Sequence, residues 1–99
     1  AGDARNHLEI ARGLLGAGKI EEAELAARQL EGELHSETPE VHLVLFSIFR
    51  SRRQGAAATG ELRTYLKEMD QRGVSSSDAA LVRARELLAR LEKEIAAAQ

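Results

Sequence analysis

Apolar residues recur along this chain in three- and four-residue steps, the period of one helical face, and four short polar or glycine-bearing stretches interrupt them. The pattern predicts five helices. The first runs from about Asp3 to Leu15, with Leu8, Ile10, Ala11, Leu14 and Leu15 toward the core and Asp3 as N-cap. Gly16-Ala17-Gly18 ends it. The second spans about Ile20 to Leu34 and buries Ala23, Ala26, Ala27, Leu30 and Leu34, with Glu21, Glu22 and Glu24 near its positive end. Thr38 as N-cap and Pro39 at the first helical position start the third, about Pro39 to Arg52. That helix is apolar almost all round, which predicts contacts on more than one side. The fourth runs from about Ala56 to Gln71 on Ala58, Leu62, Tyr65, Leu66 and Met69, and its internal Gly60 suggests a closely approaching neighbour. The fifth, capped by Ser75 with Asp78 or by Ser76, reaches about Ala97 on Leu81, Ala84, Leu87, Leu88, Leu91 and Ile95.

The pattern also repeats. A 35-residue shift lays the first two helices on the next two: His7 meets His42, Leu8 meets Leu43, Leu14 meets Phe49, Ala23 meets Ala58 and Leu30 meets Tyr65. A helix-turn-helix repeat of this length predicts hairpins that bury their open faces on one another. Composition agrees: the chain has 99 residues, 43% hydrophobic but only 3% aromatic, one proline and no cysteine. This is the make-up of a helical protein, and it removes disulfides and thiolate metal sites.

The stretch "LEIARGLLGAGKIEEAELAARQL" resembles a tetratricopeptide repeat. Ala11 and Ala23 are its small packing residues, Leu14 its large one, Gly18 its turn and Ile20 the residue at its usual aromatic place, with Pro39 near the end of the unit. The second unit is similar but departs at Phe46, Gly55 and Val74, while "ELRTYLKEMD" is similar to the endings of many bacterial repeats. The resemblance implies an all-α, right-handed solenoid: repeat one at about 4–38, repeat two at about 39–73, and a closing helix at about 76–97. It also implies that the first helix of each hairpin lines a concave face, placing Arg5, Leu8, Arg12, Leu15, Leu43, Ser47 and Arg50 toward a ligand. That mixture of leucine and arginine suits a peptide or protein segment with apolar anchors and carboxylates. The expected role is therefore a non-enzymatic interaction module. The chain begins Ala1-Gly2-Asp3 without Met, which points to a processed chain or a piece of a larger protein.

Charge offers rival readings. Residues 1–45 carry nine acids and four bases, and residues 46–99 carry seven acids and ten bases, so the halves are −5 and +3. This asymmetry, with the apolar third helix, makes stacking of copies into a homo-oligomer the alternative. The run Arg50-Ser51-Arg52-Arg53 raises a nucleic-acid reading, although the net charge of −2 and the absence of interleaved aromatics argue against one. No apolar run approaches membrane-spanning length, so no membrane insertion is expected, and no signal peptide is read in this stretch.

Candidate chemistry is sparse. "GLLGAGKI" has the glycine and lysine spacing of a phosphate loop, but Ile20 replaces the Ser or Thr that would hold Mg²⁺, and no strand precedes it. His7, His35 and His42 lack a ligand set at metal-binding spacing; His7 and His42 are read as structural residues at helix starts, and His35 as a helix C-terminal residue. Ser47 and Ser51 have no base at a defined spacing. No cofactor is expected.

Overall fold

The computed structural model describes the backbone of residues 2–34 and 38–98, and side chains over 5–30 and 38–98. It contains α1 (Gly2–Gly16), α2 (Ile20–Leu34), α3 (Val41–Ser51), α4 (Gly55–Gln71) and α5 (Ala79–Ala98), with no strand among the described residues. The expected all-α class is observed. Links of three residues join α1 to α2 and α3 to α4, so each pair folds back as a hairpin. α2 and α1 both pack on α3, and α5 packs on α4. The molecule measures 40 × 32 × 20 Å, its short dimension close to two helix diameters.

α3 is the centre of the fold. Val41, His42, Val44, Leu45, Phe46, Ile48 and Phe49 are all buried, because α1, α2 and α4 cover it from different sides. The first hairpin instead closes on small residues: Ala11, Ala23 and Ala27 have no exposed surface. Leu8, Leu30, Leu62, Tyr65, Leu81 and Ala84 complete the core, with Leu87, Leu88 and Leu91 half-buried at its edge.

The three links that follow α1, α3 and α4 end their helices in the same way. Lys19 N–H donates to the Leu14 carbonyl and Gly18 N–H to that of Leu15, at 2.9 and 3.0 Å. Gln54 and Arg53 do the same to Phe49 and Arg50, and Val74 and Gly73 to Met69 and Asp70. This paired closure requires a left-handed residue after the helix. Gly18 and Gly73 supply it at φ +81° and +76°, but after α3 the residue is Arg53, at φ +59°. Gly18 and Arg53 are one 35-residue interval apart.

Several local expectations are corrected. Asp3 lies inside α1, which begins at Gly2, so it is not the N-cap. α3 begins at Val41 rather than Pro39: Thr38, Pro39 and Glu40 form a tight lead-in whose carbonyls accept from Val41, His42 and Leu43. Thr38 therefore caps through its main chain, and its buried hydroxyl has no hydrogen-bond partner. At α5 the cap is Asp78, whose carboxylate accepts from Ala80 and Leu81 N–H at 2.9 and 3.3 Å; Ser75 only closes the turn, accepting from Ser77 N–H. Ile10 is 55% exposed, because it falls off the Leu8–Ala11–Leu15 stripe that faces the core. Gly60 faces open space, with no atom within 4 Å of an added Cβ, so no close approach explains it. The expected positions of Leu34 and His35 lie outside the described side chains.

Candidate interaction cleft

α5 leans on α4 and touches α3 little, so a gap opens between α3 and α5 with α4 as its floor. The resulting cleft has a volume of about 250 Å³. Leu43 and Phe46 from α3 form one wall, Leu62 and Tyr65 from α4 the floor, and Ala80, Arg83, Ala84 and Leu87 from α5 the other wall. Ala80 and Ala84 leave the room that larger side chains would fill. Arg50 lies over the Phe46 ring at 5.9 Å from its centroid, placing a guanidinium at the rim. Neither Arg50 nor Arg83 has a carboxylate partner among the described residues. Arg12, Arg28, Arg52 and Arg63, by contrast, are all paired with glutamates.

Tyr65 brings the polar group of the floor. Burial pushes its phenol above the ordinary range, the charges of Glu40 and Asp78 push the same way, and Arg12 opposes them. The phenol therefore stays neutral throughout the physiological range, with a hydroxyl that can donate a hydrogen bond.

Of the residues expected to face a ligand, Leu43 lines the cleft and Arg50 stands at its edge. Leu8 does not: it is 1% exposed, because it packs into the first hairpin's core. Leu15 is half-buried against the same core. Arg5, Arg12 and Ser47 are exposed, and Arg12 is engaged by Glu9 at 3.0 Å. The cleft's other residues carried no separate signal in the sequence. Phe46, Leu62, Tyr65, Ala84 and Leu87 have the helical spacing of core positions, and only the lean of α5 leaves them lining a gap.

Behind the cleft sits the most unusual polar group of the fold. His42 is 4% exposed, and its two ring nitrogens face two carboxylates of α4. Nδ1 is 2.8 Å from Glu61 Oε1, and Nε2 is 3.2 Å from Glu68 Oε2. The second Glu68 oxygen is buried without a hydrogen-bond partner. Because the carboxylates lie on opposite edges of the ring, the three residues cannot converge on one ion, and no metal-holding group of three or more His, Cys, Asp or Glu occurs among the described residues. The structural role expected of His42 takes a specific form here, a tie between α3 and α4.

The remaining candidates resolve into local structure. In "GLLGAGKI" the Gly18 and Lys19 amides, which a phosphate cradle would need, already donate to Leu15 and Leu14. Ser51 donates its hydroxyl to the Ile48 carbonyl at 2.7 Å. The basic run is divided: Arg50 lies on Phe46, Arg52 reaches across to Glu24 at 2.5 Å, and Arg53 forms the turn. Arg52 and Arg28 together hold Glu24 below the usual carboxylate range. Among the described residues no helix is long and apolar enough to cross a membrane. No family profile matches the chain, and no curated protein or solved structure matches it.

Proposed function

We propose that this chain is a tetratricopeptide-like interaction module, two stacked hairpins of a right-handed solenoid closed by α5, that docks an acidic peptide or protein segment without catalysis. The observation that carries this reading is the apolar cleft with Arg83 in its wall and Arg50 over its Phe46, neither of which has a carboxylate partner among the described residues. At about 250 Å³ the cleft is smaller than the roughly 300–1,000 Å³ typical of sites that enclose a small molecule, and fits one or two anchoring side chains. Unpaired guanidiniums beside such a pocket favour carboxylates next to the anchor. The repeat reading draws support from the 35-residue spacing of the left-handed turn residues Gly18 and Arg53 and from the fully buried Ala11 and Ala23.

Selection of a displayed random-peptide library on the immobilised protein tests this. The expected winners carry a bulky apolar residue beside Asp or Glu. Their affinity should fall about tenfold, or about 1.4 kcal/mol, in Leu43→Ala and in Arg83→Glu, with helicity at 222 nm unchanged. Winners that bind both variants as tightly as the parent protein would remove the cleft from the reading.

A further inference from the structure

A carboxylate can only accept hydrogen bonds, and His42 presents a ring nitrogen to a carboxylate at each edge. Both nitrogens can be satisfied together only if both carry hydrogen, as in the imidazolium form. The neutral ring would turn one lone pair toward a carboxylate oxygen at about 3 Å, with little water to intervene at a residue 4% exposed. Among the partners described, Glu61 and Glu68, both from α4, face the ring, while Glu40 lies two residues ahead of it on the lead-in turn. His42 is followed directly by Leu43 on α3. Tyr65 lies between Glu61 and Glu68 on α4, and Leu62 follows Glu61. Leu43, Leu62 and Tyr65 line the cleft.

We propose that one proton on His42 locks α3 to α4, and that its release to solvent at rising pH loosens the cleft wall these helices form. Only the second half rests on the cleft being the docking surface. The sign follows from linkage. In the unfolded chain an imidazole loses its proton near pH 6.5, so above that the folded state holds the extra proton and stability falls as pH rises.

Three measurements on the ligand-free protein decide this. The ring ¹⁵N shifts of His42 near neutral pH should show two protonated nitrogens; a neutral tautomer would overturn the lock. The unfolding equilibrium constant should rise with pH above about 6.5 more steeply in the parent than in His42→Gln, by up to about tenfold per pH unit. Parallel profiles would overturn it, and Glu61→Gln/Glu68→Gln, which removes both negative charges and lets an amide donate to a neutral ring nitrogen, serves the same comparison if His42→Gln does not fold. Finally, Tyr65 is the only tyrosine and there is no tryptophan, so intrinsic fluorescence reports on the cleft floor alone. Acrylamide quenching should increase as pH rises above about 6.5, while the helices remain formed, in the parent but not in the glutamine variants. Quenching independent of pH would refute the coupling to the cleft. Because no peptide is used, failure of the docking reading leaves all three results interpretable.

Discussion

Arg53 occupies a position that the two equivalent turns give to glycine, and the strain this implies can be measured. Its φ of +59° brings an L-residue's Cβ close to the following carbonyl, a conformation that costs about 1–2 kcal/mol. Glycine removes that clash but widens the unfolded ensemble, giving back about 0.4–1 kcal/mol. Arg53 also sits just past the α3 C-terminus, where a cation interacts favourably with the free carbonyls. The comparison that isolates backbone strain is therefore between Arg53→Gly and Arg53→Ala, which lose the same charge. Arg53→Gly should be the more stable of the two by about 1 kcal/mol, which for a domain of this size raises the unfolding midpoint by about 4–8 °C. Thermal unfolding followed at 222 nm, with urea unfolding as a check, provides the measurement. If Arg53→Ala proves equally or more stable, the turn does not hold the left-handed geometry, and the equivalence of the three helix ends is wrong.

Other substitutions probe separate parts of the fold. Gly60→Ala places a methyl in open space inside α4 and should stabilise by about 1 kcal/mol, read as a higher urea midpoint. The Tyr65 phenol, held up mainly by burial, should titrate in ultraviolet absorbance above its value in denaturant. The stability it contributes is complete below the unfolded value near pH 10 and is lost as pH rises through the folded one. Glu24 behaves oppositely. Arg52 and Arg28 depress it, so the advantage of the parent over Glu24→Gln should be present above the ordinary carboxylate range, vanish as pH falls through the folded value, and shrink in salt. Ala23→Leu should destabilise by about 1–3 kcal/mol in chemical unfolding, because the first hairpin has no space at that position.

The helices were legible because their signal is local. The apolar period and the glycine stops place all five elements to within a few residues of where they lie. Errors at their starts share one cause: several residues can supply an oxygen, and main-chain geometry chooses among them. Thr38 leads into α3 through its carbonyl and not its hydroxyl, and it is the Asp78 carboxylate that caps α5. Leu43 and Arg50 could be picked out only through the resemblance to a repeat family, which implies an inward face for the first helix of each hairpin. The rest of the cleft could not, since core and cleft residues have the same spacing and differ only in whether a neighbouring helix closes over them. The His42 tie was hidden for a similar reason. Its acceptors lie 19 and 26 residues away, and nothing in the spacing of Glu61 and Glu68 marks them apart from other helical glutamates.

The seam of alanines in the first hairpin has a consequence for how this chain tolerates change. Ala11, Ala23 and Ala27 have no exposed surface, so none of them has open space into which a larger side chain could grow. The second hairpin is built on Leu45, Ile48, Phe49 and Leu62, bulky groups whose loss leaves a void. The two scans should therefore find different positions. A scan toward alanine will find damage at Leu8, Leu30 and the bulky core of the second hairpin and pass over Ala11, Ala23 and Ala27, whereas a scan toward leucine will find those alanines. Each survey alone would miss part of what holds the fold.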